Sequence, residues 1–416
     1  MGSMPFFSVI IPTKARPAMV DIALHSLHHQ TFSDFEVIVT DDYDEEALSC
    51  KPIVEKYQDE RFIYVHPPDE PVLGMCGNWE YGLQFAKGRY IGFMQDKMYM
   101  YTESLQCLYT CIVQEKFPDM VNWGWDFYDL NAKDNNSFEG VLYRQDWSNS
   151  WERRDPEGEI QKKLEFSQGN YQFPGGIPGS GSLLGGIIKE ELLQRVKHQY
   201  GSVFNFFNPD YGPPLLLLSE VESLIFHHNH LFVAIPLQSS EGFRHSTSYE
   251  AACQFQELSP CGVDRLQYAA VPYLRITNTN MISADYNYTM FLLGREDRCQ
   301  EENVLCGILQ DAACVRYEQQ EYYEQENAVL KKFCQDRGIP FVSLPLYSEE
   351  IHSQCSTESS LKEYLKKFFF KYIPRRFQPR LRNCFTSHDR WLYCHSPKES
   401  IVRDKEGRYV SRWLAW

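Results

Sequence analysis

Up to Met94 the chain alternates between short apolar runs and stretches of helical spacing, and this alternation constrains its fold more than any other feature. Ser8-Val9-Ile10-Ile11, Phe35–Thr40, Phe62–Val65 and Tyr90–Met94 have the length and the β-branched or aromatic content of strands. Between them, Pro17 is placed to open a helix over Ala18–His29. Further helices are expected over Ala47–Tyr57 and Asn78–Lys87, with Gly74–Gly77 as a loop and Gly88 as a stop. Strand and helix in this order imply an α/β fold with a mainly parallel sheet covered on both faces. In such sheets ligands bind beyond the carboxyl ends of the strands. Asp41, Asp42 and Asp96 all fall at carboxyl ends, so the spacing alone gathers three carboxylates at one crevice.

Beyond this region the character changes twice. Residues 131–182 are polar and rich in Asp, Asn and Gly, as in a functional insertion or lid, and include Phe173-Pro174-Gly175-Gly176-Ile177-Pro178-Gly179-Ser180-Gly181-Ser182. A helix is expected over Ile187–Val196, with strands at Ser223–Phe226 and Leu231–Ile235. After about residue 246 the chain reads as mainly helical, with one long helical stretch over Gln300–Arg337. Two domains are expected, 4–245 and 246–416, with Met1-Gly2-Ser3 read as a cloning scar ahead of Met4. The 13 cysteines include no Cys-x-x-Cys pair, which suits reduced thiols and a cytoplasmic setting. A formal charge of −15 excludes a general nucleic-acid binder.

The run Ser8-Val9-Ile10-Ile11-Pro12-Thr13, with Arg16-Pro17, is followed in order by Leu24, Ser26-Leu27, Gln30-Thr31-Phe32, Asp34 through Val39 and Asp41-Asp42. Asn78, Tyr81-Gly82-Leu83, Ala86, Gly88, Tyr90-Ile91 and Phe93-Met94 continue the pattern. This ordered set resembles the family 2 glycosyltransferases of bacterial surface-polysaccharide type. Gly181-Ser182-Leu183, Lys189 through Leu193 and Pro209-Asp210-Tyr211 look like their acceptor half. The resemblance covers roughly residues 6–245. It implies a GT-A fold, a Rossmann-like nucleotide-sugar-binding domain here joined to the helical C-terminal region.

The resemblance also implies roles. The donor is a nucleotide sugar, of UDP type. Asp41 or Asp42 is expected to hold its base and ribose, with Pro12, Thr13 and Arg16 lining the crevice. Asn78 and Arg244 are further donor-binding candidates. The family's Asp-x-Asp motif holds Mg²⁺ or Mn²⁺ against the diphosphate. Here it reads Asp96-Lys97-Met98, and a thioether is a poor ligand for hard cations. Asp96 is the remaining metal candidate and Lys97 can supply positive charge directly, so metal-assisted and metal-independent transfer both stay open. Inverting transfer needs a base for the acceptor hydroxyl. Asp210 is the candidate, with an N-cap as its bland reading and Glu220 and Glu222 as weaker alternatives. His227, His228 and His230 match no standard zinc spacing and read as structural.

The acceptor is expected to be a surface glycan or a lipid-linked glycan. One segment bears on that. Residues 361–382 carry eight basic side chains against one acid, on a helical stripe of Leu361, Tyr364, Leu365, Phe368, Phe369 and Tyr372 opened by the capping box Ser360-x-x-Glu363. Such a segment fits the anionic inner face of a cell membrane, or a helix packed on its own domain. No apolar run has the length of a membrane span, so membrane contact is expected to be peripheral. Two rival functions share these features: a sugar nucleotidyltransferase, which the glycine-poor Thr13-Lys14-Ala15-Arg16 loop disfavours, and a non-catalytic nucleotide-sugar or glycan-binding scaffold.

Overall fold

The computed structural model describes residues 4–43, 46–68, 73–133, 139–166, 181–235, 241–312, 315–338, 341 and 343–344. The basic segment 361–382, its capping box and residues 173–180 of the glycine-rich loop lie outside the described residues. The chain divides into two units: of the described residues, 4–160 and 181–235 belong to the first, and 161–166 and those from 241 on to the second.

The first unit is built in the order β1 (Phe7–Thr13), α1 (Pro17–His28), β2 (Phe35–Asp41), α2 (Lys51–Lys56), β3 (Phe62–Val65), α3 (Gly74–Leu83), β4 (Tyr90–Phe93), β5 (Met98–Met100), α4 (Ser104–Gln114), β6 (Met120–Lys133), β7 (Glu139–Tyr143), β8 (Trp151–Arg154), α5 (Pro156–Glu165, shared with the second unit), β9 (Gly186–Lys189), α6 (Glu190–Tyr200), α7 (Gly212–Glu220) and β10 (Leu224–Ala234). The sheet order is β3-β2-β1-β4-β9-β6-β10-β5, with β7 on β6 and β8 on β10. The strands β1 to β4 are parallel, as the alternation implies. β1 and β2 are sealed on both faces, which is why Val9-Ile10-Ile11 and Val37-Ile38-Val39 read as unbroken apolar runs.

The sheet is mixed rather than mainly parallel. β9 lies antiparallel between β4 and β6, and β5 is antiparallel to β10. Gly186-Ile187-Ile188-Lys189 is therefore a strand where a helix is expected, because the chain there is sealed between two strands that need its backbone hydrogen bonds. The helix begins only at Glu190. The two expected strands around the histidines are one, β10, whose irregular register at His227–Phe232 hides its continuity in the sequence. Gly74–Gly77 forms the first turn of α3 rather than a loop, and the helix ends at Leu83.

Reversal at β9 positions the site. α6 leaves from the amino end of the parallel strands and returns the chain to their carboxyl end. There Gly201 turns it out of the helix with a left-handed φ of 83°. The loop 202–211 follows, and α7 runs back to the start of β10.

The second unit holds α8 (Glu241–Thr247), α9 (Tyr249–Glu257), α10 (Asn278–Leu292), α11 (Glu301–Ala312) and α12 (Gln320–Asp336), so it is helical as expected. The long stretch from Gln300 is two helices. α10 is buried nearly all round, polar positions included: the Asn280 amide donates to the Val271 and Leu274 carbonyls, and the Thr279 N–H donates to Asp311. Glu326 on α12 accepts from the Arg275 and Ile276 N–H groups and the Tyr249 hydroxyl. Burial pushes its carboxyl up to about 7.

Candidate active site

The register of β1 on β2 sets Thr13 beside Asp41 at the carboxyl ends. β4 ends at Phe93, and after four intervening residues the chain enters β5, at one edge of the same sheet. Residues 94–97 thus cross the carboxyl ends. They are tied at one side by the Met94 N–H to the Ile10 carbonyl and at the other by the Ile235 N–H to the Lys97 carbonyl. Asp96 sits on this crossing. One of its oxygens accepts the Thr13 hydroxyl at 2.8 Å, and the other faces Arg16 at 3.4 Å. Burial pushes the Asp96 carboxyl up; Arg16 and the Thr13 hydroxyl oppose it. Burial likewise pushes the neighbouring Lys97 amine down, with the Asp96 and Asp210 charges opposing.

Asp41 is fully buried and its carboxylate is committed to the protein. It accepts the Ala15 N–H at 3.1 Å and the Cys50 N–H at 2.7 Å. Ala15 has a φ of 55°, a left-handed conformation that costs an L-residue about 1–2 kcal/mol. The Asp41 carboxylate holds that strained turn between β1 and α1. Asp42 is the partly exposed member of the pair, placed at the rim by its N–H bond to the Thr13 carbonyl. Asn78 differs from its expected role as a donor contact. Its oxygen accepts the Thr40 hydroxyl at 2.6 Å and its nitrogen donates to the Thr13 and Thr40 carbonyls, so it splices the ends of β1 and β2 together. It is an interior residue of α3, not its cap.

Asp210 stands on the loop that α6 delivers to this end of the sheet. It is not an N-cap: α7 starts at Gly212, behind Tyr211, and Asp210's own N–H is taken by Asn208 Oδ1 at 2.9 Å. Its Oδ1 is sealed from solvent without a hydrogen-bond partner. Burial pushes the carboxyl up to about 6, and only the Lys97 charge opposes it. Glu220 is placed differently, closing α7 and accepting the Tyr200 hydroxyl. Pro12, in β1, pairs with Thr40 just below the crevice. Arg244 lies exposed on α8, in the second unit rather than the first.

Two features of this end of the sheet escape a reading of the sequence. Glu80, on α3, accepts from the Ser202 hydroxyl and from the Val203 and Phe204 N–H groups through one oxygen, and pairs with Lys197 through the other at 3.0 Å. It pins the start of the loop that carries Asp210. Its partners lie more than a hundred residues away, so no local pattern betrays it. His66 donates through Nδ1 to the Asp41 carbonyl at 2.7 Å and stacks on Tyr43 at 4.1 Å. His227 and His230 act within the fold. Burial pushes His227 down to about 4, its Nδ1 accepting the Asn229 N–H, and His230 bonds Asp126 at 2.7 Å.

The family model for Glycosyl transferase family 2 matches residues 8–159. A GalNAc(5)-diNAcBac-PP-undecaprenol beta-1,3-glucosyltransferase of Campylobacter jejuni is 35% identical over 95 residues, which cover 22% of this chain and 30% of that protein. Residues 8–159, about a third of the chain, are thus similar to the family 2 glycosyltransferase domain. The chain spans less than a third of the curated relative's length. Among solved structures, S. aureus TarS 1-349 in complex with UDP-GlcNAc aligns over 97% of both chains at 14% identity and a TM-score of 0.42. The mannosyltransferase PcManGT of Pyrobaculum calidifontis, in complex with GDP-Man and Mn²⁺, aligns over 75% of both at 13% identity and 0.38. These likenesses are too loose to carry residue roles across.

Proposed function

We propose that this chain transfers a sugar from a nucleotide-diphosphate donor, of UDP type, to a hydroxyl of a surface or lipid-linked glycan, with inversion at the anomeric carbon. The observation that carries this reading is Asp210: a carboxylate with one sealed, unpartnered oxygen, at the crevice where Asp96 and Lys97 also meet. A base works best when its pKa lies just below the operating pH, and about 6 meets that condition. As the acceptor oxygen bonds the anomeric carbon, its proton passes to Asp210. The bond from that carbon to the diphosphate breaks, and its electron pair leaves with the diphosphate. Asp42 and Thr13 border the donor, while Asp41 and Asn78 hold the strand ends they stand on.

A lipid-linked acceptor is the reading that the Campylobacter jejuni relative's name supports. Among the described residues no helix is long and apolar enough to cross a membrane. Contact with an anionic membrane face through 361–382, on the cytoplasmic side, completes the proposal. It predicts that neutralising Lys366, Lys367, Lys371, Arg375 and Arg376 abolishes liposome binding. For the chemistry, a screen of nucleotide sugars by thermal shift, followed by turnover assays, is the direct test. A donor that binds but is neither transferred nor hydrolysed would favour a non-catalytic scaffold instead.

A further inference from the structure

The family implies a divalent cation at Asp96-Lys97-Met98, and the side chains present do not fit one. Both Asp96 oxygens are engaged, by Thr13 and Arg16. Met98 is the first residue of β5, 3% exposed and in register with Ala234, so the third motif position is a buried thioether inside the sheet. Among the described residues no three His, Cys, Asp or Glu side chains are grouped to hold a metal ion.

Resting on the glycosyl-transfer reading, we propose that the Lys97 ammonium takes the cation's place, with Arg16 beside it, and that transfer needs no metal. Three observations place that charge. Lys97 lies on the four-residue crossing at the carboxyl ends, fixed through its own carbonyl by Ile235. Among the described residues its amine has no hydrogen-bond or ion-pair partner, whereas neighbouring Arg16 is engaged with Asp96. The charges of Asp96, Arg16 and Asp210 all act on it, so it lies within electrostatic reach of the proposed base. When the bond from the anomeric carbon to phosphate breaks, the departing diphosphate gains one negative charge. A half-buried ammonium with no carboxylate of its own is a preorganised partner for that charge, effective because little water competes there. The same ammonium favours ionised Asp210, so one cation serves both the base and the leaving group.

The test separates this inference from the activity reading beneath it. Affinities of EDTA-treated protein for UDP and uridine are measured by calorimetry in wild type, Lys97→Met and Lys97→Arg, with circular dichroism as the fold control. Wild type is expected to bind UDP without metal more tightly than uridine. Lys97→Met is expected to lose at least ~10-fold in UDP affinity with uridine unchanged, and Lys97→Arg to keep most of it. This arm needs no turnover and judges Lys97 even if no donor is ever transferred. Once a donor is found, EDTA should leave the rate intact and Lys97→Met should lower kcat about 100-fold or more, the scale of one removed charge-stabilising donor. Equal UDP binding by Lys97→Met and wild type, or activity abolished by EDTA and restored by Mn²⁺, would overturn the proposal.

Discussion

Replacing Asp210 with Asn should disable transfer and stabilise the protein in the same step. Burial raises this carboxyl from 3.8 to about 6. A carboxyl raised on folding contributes stability that is full below its unfolded pKa and lost as pH climbs through the folded one. About two pKa units at 1.36 kcal/mol each make the ionised Asp210 cost about 3 kcal/mol at neutral pH. Asn removes the charge but still buries an amide without partners, returning about 1–2 kcal/mol of the gain. A net 1–2 kcal/mol corresponds to a rise of about 2–8 °C in the melting temperature of a unit this size. Melting curves at about pH 4, 6 and 8 for both proteins read this directly. The variant should melt higher at pH 8, and its advantage should vanish toward pH 4, where the wild-type carboxyl is itself protonated. Wild-type kcat/KM should rise with pH to a plateau above about 6. A variant that melts lower at pH 8, gains equally at every pH or keeps its activity would refute the assignment.

Two further perturbations probe the scaffold. Glu80→Ala removes the acceptor of three donors and the partner of Lys197. It should cost about 2–4 kcal/mol and lower kcat far more than it weakens donor binding, because the loop to Asp210 loses its anchor; steady-state kinetics beside donor calorimetry separate the two. Asn78→Ala should cost about 1–3 kcal/mol by stranding the Thr40 hydroxyl and two carbonyls, and should weaken donor affinity as the β1 and β2 ends drift apart, both measurable by denaturation and calorimetry.

The sequence made the parallel half of the fold legible because strands sealed on both faces leave a plain record, as Val37-Ile38-Val39 does. It was silent on β9, where Gly186-Ile187-Ile188-Lys189 flows into a helix of similar hydrophobicity and only sheet pairing sets the boundary. That Asp96 and Lys97 lie at the carboxyl end of β4 was legible because strand ends are local facts, whereas Asp210 was singled out only by the family resemblance. What Asp41 and Asn78 do could not, because both are decided by partners far away: Cys50 and Ala15 for one, Thr13 and Thr40 for the other. Glu80 is the extreme case, an ordinary helix glutamate until the loop at Ser202 folds back upon it.

The short crossing between β4 and β5 has a consequence for how this active site could change over time. Position 98 is decided by strand packing, since Met98 opens β5 within the sheet. A carboxylate there would bury a charge in the sheet rather than rebuild a metal site, at a cost of several kcal/mol. The route back to the common motif is therefore closed to a single substitution. Met98 in the Asp-Lys-Met triplet is thus held by the packing of β5 against β10.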